Sequence, residues 1–190
     1  MEVDRILADG AIYVTNAEEE LDRKILREEQ LYFIDNQVEA IDTFLADTEE
    51  VNDDGEVRAL RDQLRTMKGK LERKAAEFLA KQDGEELPPE GEDELPPAEM
   101  AEALVAYGND FIGVAEKALT KKVSKIEDVE KWEAPLATLN SFLADSELVA
   151  AEHPDLPKVR QEVRARKLEL RKRIDDMIQD WRTRDVTAKE

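Results

Sequence analysis

The sequence predicts an all-α protein, a tandem duplication of a small (about three-helix) antiparallel bundle with coiled-coil-like heptad packing. Three observations carry this. Of the 190 residues 39% are charged and only 5% aromatic, with few Gly and Pro, which is the profile of long amphipathic helices and not of sheets. The second is an internal repeat. Phe44-Leu45-Ala46-Asp47-Thr48-Glu49-Glu50-Val51 returns 98 positions later as Phe142-Leu143-Ala144-Asp145-Ser146-Glu147-Leu148-Val149. The same shift places Ala8 on Ala106, Gly10 on Gly108, Ala17-Glu18 on Ala115-Glu116 and Leu21 on Leu119. Past the following loop the offset is 99, and Arg61, Arg65, Lys68 and Leu71 fall on Arg160, Arg164, Lys167 and Leu170. A residue inserted in a loop is the usual way repeats drift apart. The third is periodicity: Val57, Leu60, Leu64, Met67 and Leu71 alternate three and four apart, and Lys74 and Phe78 continue the seam.

The elements follow in order. Val3, Ile6 and Leu7 predict a short opening helix that Gly10 interrupts. Thr15 or Asn16 reads as the N-cap of the next, with Glu18, Glu19 and Glu20 where the helix dipole favours acids. Leu21, Ile25, Leu31, Ile34, Val38, Ile41 and Leu45 then predict one helix of roughly 30 residues. Asn52-Asp53-Asp54-Gly55 supplies a turn and a fresh N-cap before the third helix. Residues 81–97 read as an acidic, Pro-rich linker that contains Glu86-Leu87-Pro88-Pro89 and its echo Glu94-Leu95-Pro96-Pro97. Paired prolines, Gly and like charges oppose a helix and extend the chain.

The second unit copies the first. A short helix is expected from about Ala98 to Tyr107 and another from about Asp110, with a kink or break at Pro135, which stands where the first unit has Gln37. The third helix is expected from Leu156 to Trp181, with Arg166 in the place of Met67 and Arg173 in that of Lys74. The domains are thus unit 1 over 1–80, the linker over 81–97, unit 2 over 98–182 and a polar tail over 183–190. In unit length and heptad spacing the chain resembles spectrin-type repeats, which are three-helix units of comparable size. It departs from them at the Pro-rich junction, where those repeats share one continuous helix.

Charge is unevenly spread. The formal net charge is −19, of which residues 1–80 hold −10, residues 81–97 hold −6 and residues 98–190 only −3. Such a chain repels nucleic acid and anionic membranes on average, so direct nucleic-acid binding is not expected. There is no cysteine, which excludes disulfides and thiol-ligated metals. No apolar run approaches the ~18 residues of a membrane span, and the acidic N-terminus has no apolar signal core. A soluble protein, cytoplasmic or part of a virion, is expected.

Chemistry is hard to find. Glu50-Val51-Asn52-Asp53-Asp54-Gly55-Glu56 has the alternating oxygens and sixth-place Gly of an EF-hand loop, but its twelfth place is Arg61 and not Glu. It reads as a helix-capping turn. His153, the only histidine, reads as a solvated loop residue, since one imidazole builds neither a zinc site nor a di-iron bundle. Acidic pairs such as Glu28/Glu29 and Asp175/Asp176 read as solvated helix faces. No metal, no cofactor, no small-molecule substrate and no enzymatic activity are expected.

The candidate partner-binding residues are Arg160, Arg164, Lys167 and Arg171, at i, i+4, i+7 and i+11 on one stripe of the last helix, together with Trp181, which reads first as a staple of the helix end and second as an interface anchor. The competing reading of the stripe is intramolecular pairing with the acidic second helix or with Glu162, Glu169 and Asp175. Trp132, aligned with Ile34, reads as core. The sequence therefore points to a non-enzymatic structural or adaptor protein that acts through protein–protein contacts, with self-association among them, as a subunit of a larger assembly such as a virion. The alternative is an acidic inhibitor or nucleic-acid mimic that occupies a basic surface of a partner.

Overall fold

The computed structural model of the chain describes residues 3–84, 87, 95–121 and 128–187. Their regular structure is entirely helical: α1 (Val3–Asp22), α2 (Leu31–Asp47), α3 (Gly55–Asp83), α4 (Pro97–Thr120), α5 (Glu130–Ser146) and α6 (Leu156–Thr187), with short 3-10 turns at Glu28–Gln30 and Glu49–Val51. The chain divides into two compact units, Met1–Glu94 and Leu95–Glu190. In each, every helix packs on the other two, which makes a helical bundle. None of the described helices is long and apolar enough to cross a membrane. Most of the expected linker, residues 85, 86 and 88–94, lies outside the described residues.

Contacts between named residues set the helix directions. Gly10 lies against Leu60 and Leu21 against Lys74, so α1 and α3 run the same way. Leu45 meets Arg61 and Asp42 meets Lys68, so α2 runs opposite to α3. Unit 2 has the same plan. Gly108 lies against Val159 and Leu119 against Arg173, while Phe111 meets Phe142 and Ala118 meets Trp132. The interiors are filled by Ile6, Ala17, Ile34, Ile41, Phe44, Leu45, Val57, Leu64 and Leu71 in unit 1, and by Ala101, Ala115, Trp132, Leu139, Phe142, Leu143, Leu156, Val163 and Leu170 in unit 2.

Five features differ from the sequence expectation. α1 passes through Gly10 without interruption, and neither Thr15 nor Asn16 begins a helix. The break falls instead at residues 23–30, within the stretch whose spacing suggested one long helix. Lys74 of α3 explains the position of the stop. Its ammonium donates to the carbonyls of Glu20 (2.6 Å), Leu21 (2.8 Å) and Arg23, the acceptors that a helix C-terminus leaves unpaired. Gln30 then pins the turn, its Oε1 accepting from the N–H groups of Leu26 (2.7 Å) and Arg27 (3.1 Å). In unit 2, α4 is likewise one helix, opened by Pro97 in the first-turn position that tolerates proline. α5 is continuous through Pro135, which sits only one turn beyond the helix start, where little helix precedes it to be disturbed. α6 reaches Thr187, so the expected tail is helical up to that point.

The glycine at each α1/α3 and α4/α6 crossing has a packing reason. A Cβ on Gly10 would lie 2.9 Å from Phe44 Cζ and closer still to the end of Leu60. On Gly108 it would lie 2.7 Å from Phe142 Cζ and closer still to Val159. Helical glycine costs about 1 kcal/mol relative to alanine, and the close approach of the helices offsets it. Gly108→Ala should nonetheless destabilise the protein, because overpacking against a stiff Val and a buried ring costs roughly 1–3 kcal/mol and exceeds the propensity gain. A denaturation midpoint that rises in this variant would remove the close-packing explanation.

Candidate functional site

The repeated octapeptide builds a clamp in each unit. Arg61, fully buried, reaches from α3 to the C-terminal end of α2. Its Nη1 donates to the Leu45 carbonyl (2.7 Å) and to the Thr48 hydroxyl, which itself donates to the Phe44 carbonyl (2.7 Å). In unit 2, Arg160 Nη1 donates to the Leu143 carbonyl (2.8 Å) and to Ser146 Oγ, while Ser146 donates to the Phe142 carbonyl (2.6 Å). The last carbonyls of a helix have no intrahelical partner, and a planar guanidinium that stays charged can serve several of them at once. The residues common to both octapeptides are thus those of a helix terminus tied to the following helix.

The ends of α1 and α4 are tied in a related way. Lys74 has its counterpart in Arg173, whose Nη1 donates to the Leu119 carbonyl. Burial pushes the Lys74 ammonium below its ordinary pKa, with Glu20 and Asp22 pulling the other way. Trp132 adds an indole N–H to the Ala118 carbonyl at 3.1 Å. Trp132→Phe should therefore cost about 2 kcal/mol, the net worth of a hydrogen bond together with the cavity left by the smaller ring. Chemical denaturation checks it, and an unchanged midpoint would count against the cap. A third internal tie is unique to unit 1 in its chemistry: Lys68 Nζ lies 2.6 Å from Asp42 Oδ1, both buried. The corresponding pair in unit 2 is Lys167 and Asn140, also both buried.

The structure divides the basic stripe of the last helix. Arg160 and Lys167 are 2% and 6% exposed, so they face the interior of unit 2 and offer no surface to a partner. Arg164 is half-buried, and Arg171 is exposed. Trp181 is 49% exposed, one heptad beyond Ile174 on α6. The five candidates are therefore not one surface. Arg160 serves its own helix bundle because the Leu143 carbonyl and the Ser146 hydroxyl that it satisfies come from α5. Arg166 also pairs across the bundle, with Nη2 2.6 Å from Glu116 Oε1, and this bond raises its pKa.

The acidic turn before α3 caps that helix: Asp54 Oδ1 accepts from the N–H groups of Glu56 (2.9 Å) and Val57 (3.1 Å). His153 Nδ1 accepts from the Asp155 N–H (3.2 Å), a local bond before α6. Among the described residues, no group of three or more His, Asp or Glu could hold a metal ion.

Trp181 apart, the exposed apolar residues were not legible as sites in the sequence, and they distinguish the two units. Unit 1 exposes Tyr32 (64%) and Phe33 (45%), with the Arg23 guanidinium 5.2 Å from the Phe33 ring centroid. Unit 2 has Glu130 and Lys131 at those places. Unit 2 exposes Tyr107 (54%), Val114 (50%) and Leu148 (72%), where unit 1 has Asp9, Asn16 and Glu50. A position-by-position comparison of the two repeats would have marked these sites, because they are apolar in one copy and polar in the other. No protein-family model matches the chain, and no curated protein or solved structure matches it either.

Proposed function

We propose that the chain is a non-enzymatic structural or adaptor protein, made of two duplicated units that engage different neighbours through protein–protein contacts. One observation carries this reading. The helix-end ties of Arg61 and Arg160, and of Lys74 and Arg173, recur at positions 99 residues apart, whereas the exposed Tyr32, Phe33, Tyr107, Val114 and Leu148 have polar or charged residues at the matching places. Selection on a common bundle preserves the first set; divergence of the surfaces suits two different contacts. In this reading each unit packs with heptad spacing, the residues between α3 and α4 are the linker, and the place of work is the cytoplasm or a larger assembly such as a virion. Two unlike surfaces on one chain gain avidity when both are engaged.

The −10 of unit 1 and the −6 of residues 81–97 favour one rival, an acidic inhibitor or nucleic-acid mimic. Salt separates the two. The full chain is used as bait in extract of its source, washed up to about 1 M NaCl, where the Debye length is ~3 Å. A partner held through apolar faces stays bound, and is lost with Tyr32→Glu/Phe33→Glu. Release that tracks salt and ignores those substitutions would favour the mimic and sink the adaptor reading.

A further inference from the structure

We infer that α4 is a self-association surface: two copies of this chain pair α4 against α4, antiparallel about a two-fold axis near Tyr107. The inference rests on the contact reading above and names the partner of one unit.

α4 carries two apolar stripes. One faces the interior and contains Ala101, Gly108, Ile112, Ala115 and Leu119, all buried. The second is Met100, Leu104, Tyr107, Phe111 and Val114, spaced four and three apart, about a quarter-turn around the helix from the first. Its members are half-buried or exposed, and Tyr107 stacks on Phe111 at 6.4 Å. Unit 1 is an internal control. It builds the same bundle with Ile6, Asp9, Tyr13 and Asn16 opposite Leu104, Tyr107, Phe111 and Val114. The bundle therefore does not need an apolar Tyr107 or Val114. The stripe spans fifteen residues, about 21 Å along the helix, the length of a short coiled-coil seam.

The charges beside the stripe single out a second copy as the occupant. Glu99 and Lys117 lie eighteen residues apart, five helical turns, and so stand on one line along the same flank. Both are exposed. Reversing a second α4 about a two-fold axis midway between them sets Lys117 opposite Glu99 twice. It also brings Met100 near Val114 and Tyr107 near its own copy. On the same flank, Asp110 then faces the stretch around Ala106 and not another acid. Residues 98–190 carry only −3, against −10 for residues 1–80, so like-unit contact through unit 2 meets the weaker repulsion. An isologous pair of this kind closes at two copies.

Sedimentation equilibrium of the full chain tests this. The expected result is a concentration-dependent dimer. Tyr107→Glu/Val114→Glu should be monomeric with an unchanged far-UV helical signal. Lys117→Glu should raise the dissociation constant about tenfold, since two like-charge contacts replace two ion pairs. Adding Glu99→Lys should restore it, which a merely structural role for Lys117 would not predict. A monomer at every concentration, a dimer indifferent to Tyr107→Glu/Val114→Glu, or no restoration by the charge reversal each overturns the pairing. A monomer that still holds a salt-resistant partner through Tyr32 and Phe33 overturns this pairing alone. A monomer that holds none overturns the contact reading with it.

Discussion

Arg61→Ala should lower the unfolding free energy by about 3–5 kcal/mol, the range for removing a buried charged partner and its hydrogen bonds. The side chain is fully buried, so its loss leaves a cavity in addition to unserved acceptors at the end of α2. The Leu45 carbonyl loses a 2.7 Å bond, and the Thr48 hydroxyl keeps only its own bond to Phe44. Arg61→Met separates the two costs. It restores much of the volume without a donor, so the difference between the two variants reports the cavity. Arg160→Ala should behave alike in unit 2, where Leu143 and Ser146 stand in for Leu45 and Thr48. Urea denaturation of the full chain is the measurement. A loss below about 1 kcal/mol at both positions would mean that the clamp is not what couples α2 to α3 and α5 to α6.

Asp42→Ala should cost about 3 kcal/mol or more, because it strips the carboxylate from a buried ammonium. Lys68 is 7% exposed, and the Glu72 carboxylate 3.6 Å away is half-exposed and only partly replaces Asp42. The double variant Asp42→Ala/Lys68→Met should recover most of the loss, since a buried pair replaced by apolar groups is often neutral or stabilising. The coupling is read as a double-mutant cycle. Equal destabilisation of the single and double variants would show that packing, and not the charge pair, sets the energetics. Asp42→Asn copies the residue that unit 2 carries at Asn140 and should be milder, because the amide oxygen can still accept from Lys68.

Both predictions concern residues that the repeat alignment had already paired. Arg61 with Arg160 and Lys68 with Lys167 were visible as matched basic positions, and the octapeptides as matched helix ends. What the alignment could not join was one to the other. A guanidinium at i+13 or i+14 from a hydroxyl meets it only after the chain reverses, and reversal is a property of the loop and of the packed helices. For the same reason Arg160 and Lys167 looked like members of an outward stripe. They lie on the flank of α6 beside Val159, Val163, Leu170 and Ile174. Spacing places a residue on a helix line, but only the neighbouring helix decides whether that line meets carbonyls or water.

The sequence by itself determined the helical class and a capping turn within Asn52-Asp53-Asp54-Gly55, because these rest on short-range chemistry: periodicity, propensity and turn residues. It also located the third helices, whose apolar spacing is the most regular in the chain. The tertiary structure decided where α1 ends and α2 begins, since Lys74 arrives from α3 to take the carbonyls of Glu20, Leu21 and Arg23. It also carried α1 through Gly10, where Leu60 and Phe44 press against the helix, and turned Arg160 inward while leaving Tyr107 and Val114 in solvent. Those outcomes depend on groups far apart in sequence, and a charged or apolar side chain carries no record of which of them it will meet.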